Sequence, residues 1–350
     1  MNTHDFVAIC REELRLCGVH EGESIAILSD DSPGELVEHA AAFMQAAKEL
    51  GALPFHVRAP SMRGKDGAGS GASAWEVGST AVTGHRPVID VLKSADMVVD
   101  LIFMLFSEEQ LEIQAAGTRI LLAVEPTDVL ARLLPDPSIR ERVDIGGEML
   151  RAAKNLRVTH PNGTDLLYKL GKYPTITQYG YVDEPGGWDH WPSGFLFTGA
   201  YDDGVDGKIV LDPGTIIYPF KSHIRTPITM HVEKGFITEM TGDLDAGLMR
   251  DYMDQFNDPN GYAISHIGWG LNEKARWSGP MMDTRGVGQE GRSFYGNILF
   301  ATGPNQELGG SNASPCHLDI PLHGYTLELD ETLVVKDGDI AVPELKAPGR

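Results

Sequence analysis

The chain has 350 residues but only three cysteines, Cys10, Cys17 and Cys316. So sparse and odd a set gives no disulfide framework and fits a reducing compartment. Cys10 and Cys17 stand seven apart in a helical pattern, which predicts two small buried hydrophobes. Basic residues are also in short supply: 29 Lys and Arg against 50 Asp and Glu leave a net charge of −21. An acidic chain without a basic stripe repels phosphate backbones, so nucleic acid and anionic membranes are excluded as partners. Long apolar runs are missing too, none reaching the roughly 18 residues that cross a bilayer. The start, "MNTHDFVAICREELRLCGV", lacks the basic and then apolar order of a signal peptide. The expectation is a soluble, cytoplasmic protein.

What is present alternates strand and helix at first. "ESIAILSD" reads as a strand, "PGELVEHAAAFMQAAKELG" as an amphipathic helix closed by Gly51, and "ALPFHVRAP" as a second strand. Strand, helix, strand at that length is a right-handed crossover with parallel strands. "SADMVVDLIFM" and "TRILLAVE" add two apolar strands. The glycine-rich "GKDGAGSGASAWEVGSTAVTG" does not join a strand to a helix as a dinucleotide fingerprint would, and it reads as a mobile loop. After the helical "PSIRERVDIGGEMLRAAKN" short strands and turns dominate, with a hairpin expected at Lys234-Gly235 and one helix at "LDAGLMRDYMDQFN". We therefore expect an α/β domain over residues 1–157 and a β-rich α+β domain over 158–350.

Four of the twelve histidines stand out: His190 in "GGWDHWPSG", His266 in "SHIGWGLN", and His317 and His323 in "SNASPCHLDIPLHG". His39 on a helix and His56 and His231 in strand patterns read as structural. Gly268 and Gly270 bracket Trp269, implying a tight turn or a close backbone approach near His266. His266 together with His317-x-Asp319 supplies two imidazoles and a carboxylate, a set that can occupy one face of an octahedron and leave the other positions open, as in non-haem Fe(II) oxygenases. Structural histidines are the competing reading. Cys316 beside them reads as a buried neighbour, a thiolate ligand or nucleophile being the alternative.

Four segments, "HWPSGFLFTGAYDDGVDGKIVLD", "HIGWGLNEKA", "GNILFATGPN" and "GGSNASPCHLDIPL", resemble those of the thermophilic-type metalloaminopeptidase superfamily, in the same order over roughly residues 185 to 325. Those peptidases hold two metals with two glutamates, two histidines, a tyrosine and an aspartate. Carried over by position, the first glutamate meets Phe195, the second meets His266, the first histidine meets Leu299 and the tyrosine meets Gln306. Only His317 and Asp319 persist. Phenylalanine and leucine cannot donate to a metal, so one metal, held by His266, His317 and Asp319, is what remains. In that pattern, and over nearly its whole length, the chain resembles the 2,5-dihydroxypyridine 5,6-dioxygenases.

The resemblance implies a metalloaminopeptidase-like fold, an Fe(II) cofactor, a dihydroxypyridine and O₂ as substrates, and a homo-oligomer. It implies opening of the pyridine ring between C5 and C6 to give N-formylmaleamate, as in nicotinate degradation. A histidine suits the required proton transfers: His190, between Trp188 and Trp191, is the first candidate, packing in an aromatic cluster its alternative. His323 could orient a ligand or meet substrate. Arg292 and Ser293 could hydrogen-bond the ring, or form an ion pair and a strand cap. Leu105 and Phe106 could form an apolar wall in a pocket expected between the domains. The rivals are a metallopeptidase with a site rebuilt from Glu290 or Asp283, and a non-catalytic metal-binding protein.

Overall fold

The computed structural model describes residues 3–31, 34–60, 80–105, 107–282 and 285–350. Phe106, Asp283 and most of the glycine-rich stretch lie outside the described residues. Two compact units are present. The first comprises Met1–Pro137, Gln178–Ser193 and Arg285–Gln289, and the second Ser138–Thr177, Gly194–Thr284 and Glu290–Arg350.

The first unit is an α/β layer structure. Ser24–Asp30 pairs in parallel with Leu53–Ala59 on one side and Met97–Asp100 on the other, and Arg119–Leu122 and Trp188–His190 extend the sheet. The apolar strands "IAIL", "MVV" and "ILL" are buried on both faces, as a parallel sheet requires. Helix Glu35–Glu49 presents Ala40, Phe43 and Ala47 to a core that also takes Cys10, Cys17, Ile25 and Ile27. Gly51 follows at φ 78°, the left-handed conformation that ends the helix at little cost to glycine.

The second unit is built on antiparallel sheets. Eight strands form one, in the order Phe236–Gly242, Ile228–Glu233, Val205–Leu211, Thr164–Lys169, Asn155–His160, Thr326–Leu329, Thr332–Lys336 and Asp339–Ile340. The hairpin turns at Lys234 and Gly235, both at positive φ, as its sequence predicts. A five-stranded sheet runs Leu318–Leu322, Ile298–Thr302, Ile264–Gly270, Phe195–Gly199, with Ile176–Gln178 at its edge, and Ile216–Ile217 pairs with Ser222–His223 in a short two-stranded one.

Helix Pro137–Ala152 belongs almost wholly to this second unit, so the units do not follow a single cut after residue 157. Its packing explains why. Gly146 lies against Leu196 and Trp269, and Arg142 donates to the Leu271 carbonyl at 2.8 Å and to Glu273 at 2.8 Å. A sequence pattern marks where a helix runs but not which sheet receives its apolar face. Among the described residues no helix is long and apolar enough to cross a membrane.

Candidate metal centre

His266 lies inside strand Ile264–Gly270 rather than at a turn. The flanking glycines serve close packing: a Cβ at Gly268 would run into the Leu196 carbonyl, and one at Gly270 into the Phe294 carbonyl. Pairing with Ile298–Thr302 runs Ile264 to Thr302 and then Ile267 to Phe300, so Ser265 and His266 together oppose the single residue Ala301. This is a β-bulge, which breaks the alternation of side chains and re-aims them. On its other side Ala301 pairs with Asp319 of strand Leu318–Leu322. His266 and Asp319 thus reach toward each other across a strand whose intervening side chain is only a methyl.

The two side chains meet. Asp319 Oδ1 lies 3.1 Å from His266 Nε2 and 3.3 Å from His317 Nε2. Donor atoms of the three residues all fall within 4.8 Å of one another. Despite these short approaches Oδ1 accepts no aligned hydrogen bond, although it is buried. A buried carboxylate oxygen between two imidazole nitrogens, with no proton properly shared, is what a cation would satisfy. Two nitrogens and one hard oxygen suit a first-row divalent metal, so the residues fit Fe(II).

The surroundings hold this set in place. Asp319 Oδ2 accepts from Arg292 Nε at 2.6 Å, and the Arg292 guanidinium lies 4.0 Å from the centre of the Tyr218 ring. Tyr218 in turn donates its backbone N–H to the Asp319 carbonyl at 2.8 Å. Burial alone would raise the Asp319 pKa, but Arg292 and the two imidazoles hold it well below the usual range. Burial would lower that of His266, yet Asp319 and Glu307 outweigh it and raise the metal-free imidazole to about 9. Glu307, with a side chain 6% exposed, has Oε1 at 3.2 Å from His266 Nδ1. Phe197 packs on the His266 ring with centroids 4.7 Å apart.

Phe195 and Leu299 join Phe197 and Leu308 in a buried apolar cluster. These are two of the positions where the aminopeptidase resemblance would put a glutamate and a histidine. No donor stands there.

The remaining candidates fall elsewhere. Ser293 is fully buried, and its carbonyl accepts from Asn272 N–H at 3.0 Å. His323 is exposed and packs on Trp277 and Phe294, with centroids 5.1 and 5.3 Å away, so its observed partners are rings rather than a metal ligand. Glu290 accepts from the Arg276 N–H at 2.6 Å, a structural role for one proposed peptidase ligand. Cys316 is fully buried, and burial pushes its thiol up to about 11, which makes it a poor nucleophile. His190 and Leu105 belong to the first unit. There His190 pairs with Leu122 on the edge strand, and Leu105 and Trp188 pack on the cluster of Phe103, Leu122 and Val124. Sequence reasoning missed Glu307, since a lone glutamate in a loop has no spacing that marks it.

A structure of AmpT from Thermus thermophilus superposes with a TM-score of 0.59 at 15% identity, covering 97% of this chain and 99% of that one. At that identity the likeness concerns the fold alone, and it confirms the metalloaminopeptidase-like, two-part architecture. The particular family is defined by closer relatives. The NicX family, 2,5-dihydroxypyridine 5,6-dioxygenase, matches residues 5–342, and the chain belongs to it. The 2,5-dihydroxypyridine 5,6-dioxygenase of Pseudomonas putida KT2440 is 46% identical over 333 residues, covering 95% of this chain and 94% of the relative. The structure of the 2,5-dihydroxypyridine dioxygenase from the same organism superposes with a TM-score of 0.94 at 43% identity, covering 99% of this chain and 100% of that one.

Proposed function

We propose that the chain is an Fe(II)-dependent dioxygenase that opens 2,5-dihydroxypyridine between C5 and C6 with O₂, giving N-formylmaleamate. Family membership carries the substrate class. The convergence of His266, His317 and Asp319 on one point is the observation that carries the metal. Held by His266, His317 and Asp319, Fe(II) would supply a Lewis-acidic, redox-capable centre for the reaction of the ring with O₂. The substrate provides all the electrons, so no external reductant enters.

The protein's own groups have simpler tasks. Arg292 holds Asp319 in its ligating orientation and balances its charge. His190 takes the proton from the ring hydroxyl oxygen and returns one as the ring opens. The apolar cluster at Phe195 and Leu299 limits the site to one metal. As in the resemblance drawn from sequence, the working form is a homo-oligomer in the cytoplasm, which sedimentation and cell fractionation would check.

Anaerobic reconstitution of the metal-free chain tests the reading. One Fe(II) per chain should restore stoichiometric O₂ uptake with 2,5-dihydroxypyridine, and Zn(II) should not. Two tightly bound metals, or zinc-supported release of N-terminal residues from peptides without O₂ uptake, would replace it with the rebuilt peptidase.

A further inference from the structure

The loop 303–312, "GPNQELGGSN", connects the strand beside His266 to the His317 segment, and it is unusually well tied. Asn305 N–H donates to Asn312 O at 3.1 Å, and Asn312 N–H donates back to Asn305 Oδ1 at 2.9 Å. Asn312 Nδ2 adds the Gly303 carbonyl at 2.7 Å. Gly309 takes the left-handed φ of 80°, and a Cβ at Gly310 would collide with the Asn305 side chain. The loop is anchored from beneath as well, because Leu308 is buried in the cluster of Phe195, Phe197 and Leu299.

What this framework presents is Glu307. Its Oε1 receives His266 Nδ1 at 3.2 Å and lies 3.3 Å from the Ser265 hydroxyl, whose nearer acceptor is the Pro304 carbonyl. Neighbouring residues of a regular strand face opposite sides. Here the bulge places the Ser265 hydroxyl and His266 Nδ1 beside the same carboxylate oxygen. His266 consequently has Nδ1 committed to a carboxylate and Nε2 turned to Asp319. His317 differs: its Nδ1 is buried without a hydrogen-bond partner among the described residues.

The geometry assigns Glu307 as the positioning residue that fixes His266 as its Nδ1–H tautomer, with Nε2 as the metal-binding atom. This rests on the reading of His266, His317 and Asp319 as metal ligands. Orienting carboxylates of this kind are worth about 10- to 100-fold in metal affinity. Glu307→Ala should therefore weaken binding of Co(II) and of Fe(II) by about that factor. Glu307→Gln keeps an acceptor oxygen and should recover a large part of the loss.

The test uses the full-length, metal-stripped chain, titrated anaerobically with each metal against a chelator. Proton NMR of the Co(II) form then follows the exchangeable, hyperfine-shifted imidazole N–H of His266. Wild type and Glu307→Gln should show that resonance, and Glu307→Ala should lose it to solvent exchange. A Glu307→Ala protein with wild-type affinity and an intact resonance overturns the assignment. If that variant does not fold, Glu307→Asp decides, because its carboxylate falls one methylene short of His266 Nδ1: wild-type affinity and slow N–H exchange in it would overturn the assignment equally. Failure of the wild type itself to bind either metal would instead sink the underlying ligand set.

Discussion

Asp100 in the first unit and Asp319 in the second are both buried carboxylates, 0% and 6% exposed, yet they behave in opposite ways. Asp100 ends a parallel strand and accepts three backbone hydrogen bonds, from Ile102 and Phe103 at 2.8 and 3.0 Å and from Met104 at 2.7 Å. Its partners are neutral dipoles, burial dominates, and its pKa rises to about 6. Asp319 faces a guanidinium and two imidazoles, and is held far below the carboxylate range. Burial therefore does not say what a carboxylate is for; the charge of its partners does. Asp100 clasps the turn that leads to Leu105, whereas Asp319 stays ionised with one buried oxygen set between two imidazoles.

The same substitution at the two places should separate these roles. Asp319→Asn should abolish tight iron binding and O₂ uptake while leaving the far-ultraviolet circular dichroism unchanged, and His266→Ala and His317→Ala should do the same. Wild-type turnover with stoichiometric iron in any of the three would remove that residue from the ligand set. Asp100→Asn should keep its iron by elemental analysis.

His190→Ala should lose about 10²- to 10⁴-fold in turnover and retain its iron, as expected of a proton-transfer group. Undiminished turnover across pH would return His190 to a packing role. Ala301→Leu should sharpen the contrast from the other direction, because a larger side chain beneath the bulge separates His266 from Asp319. Metal affinity should fall well before the melting temperature does. A melting temperature that collapses while affinity holds would show that the methyl at 301 matters only for packing.

The smallest effects concern pH. Asp100 is raised to about 6, so the unfolded chain ionises first and stability falls as pH rises from about 4 to 6, by on the order of 3 kcal/mol at most. His39 is lowered to about 4 by burial, which Glu35 only partly opposes, so its contribution is full above about 6.5 and is lost as pH falls toward 4. These slopes oppose each other over one window. Denaturant titrations from pH 4 to 7 should show Asp100→Asn steepening the rise of stability with pH and His39→Gln flattening or reversing it. Parallel curves for the two variants and the wild type would contradict both shifts.

Much of this was legible in the sequence, for identifiable reasons. The crossover unit was readable because apolar runs, a 3.6-residue period and Gly51 agree. The grouping of His266, His317 and Asp319, which the structure brings within 4.8 Å of one another, was suggested by Phe195 and Leu299 standing where the resembled two-metal site would need donors. The bulge was not readable, since two-against-one pairing depends on the neighbouring strand's register. Arg292 and Glu307 are ordinary charged residues whose meaning comes from the atoms they meet. Arg292 was expected at the substrate ring or in an ion pair, and the ion pair is observed, with Asp319.

The two-against-one arrangement at Ser265 and His266 makes the centre sensitive to residue count as well as residue type. A strand's faces are set by parity, and one extra residue is what brings His266 onto the face of Asp319 while the strand beyond it keeps its pairing. Replacing Ser265 removes one hydroxyl, but deleting it would force a choice. Either the Ile267–Gly270 register persists and the imidazole turns away, or the imidazole stays and the pairing of four further residues slips. Divergence in this stretch should therefore proceed by substitution, with insertions and deletions confined to the loops.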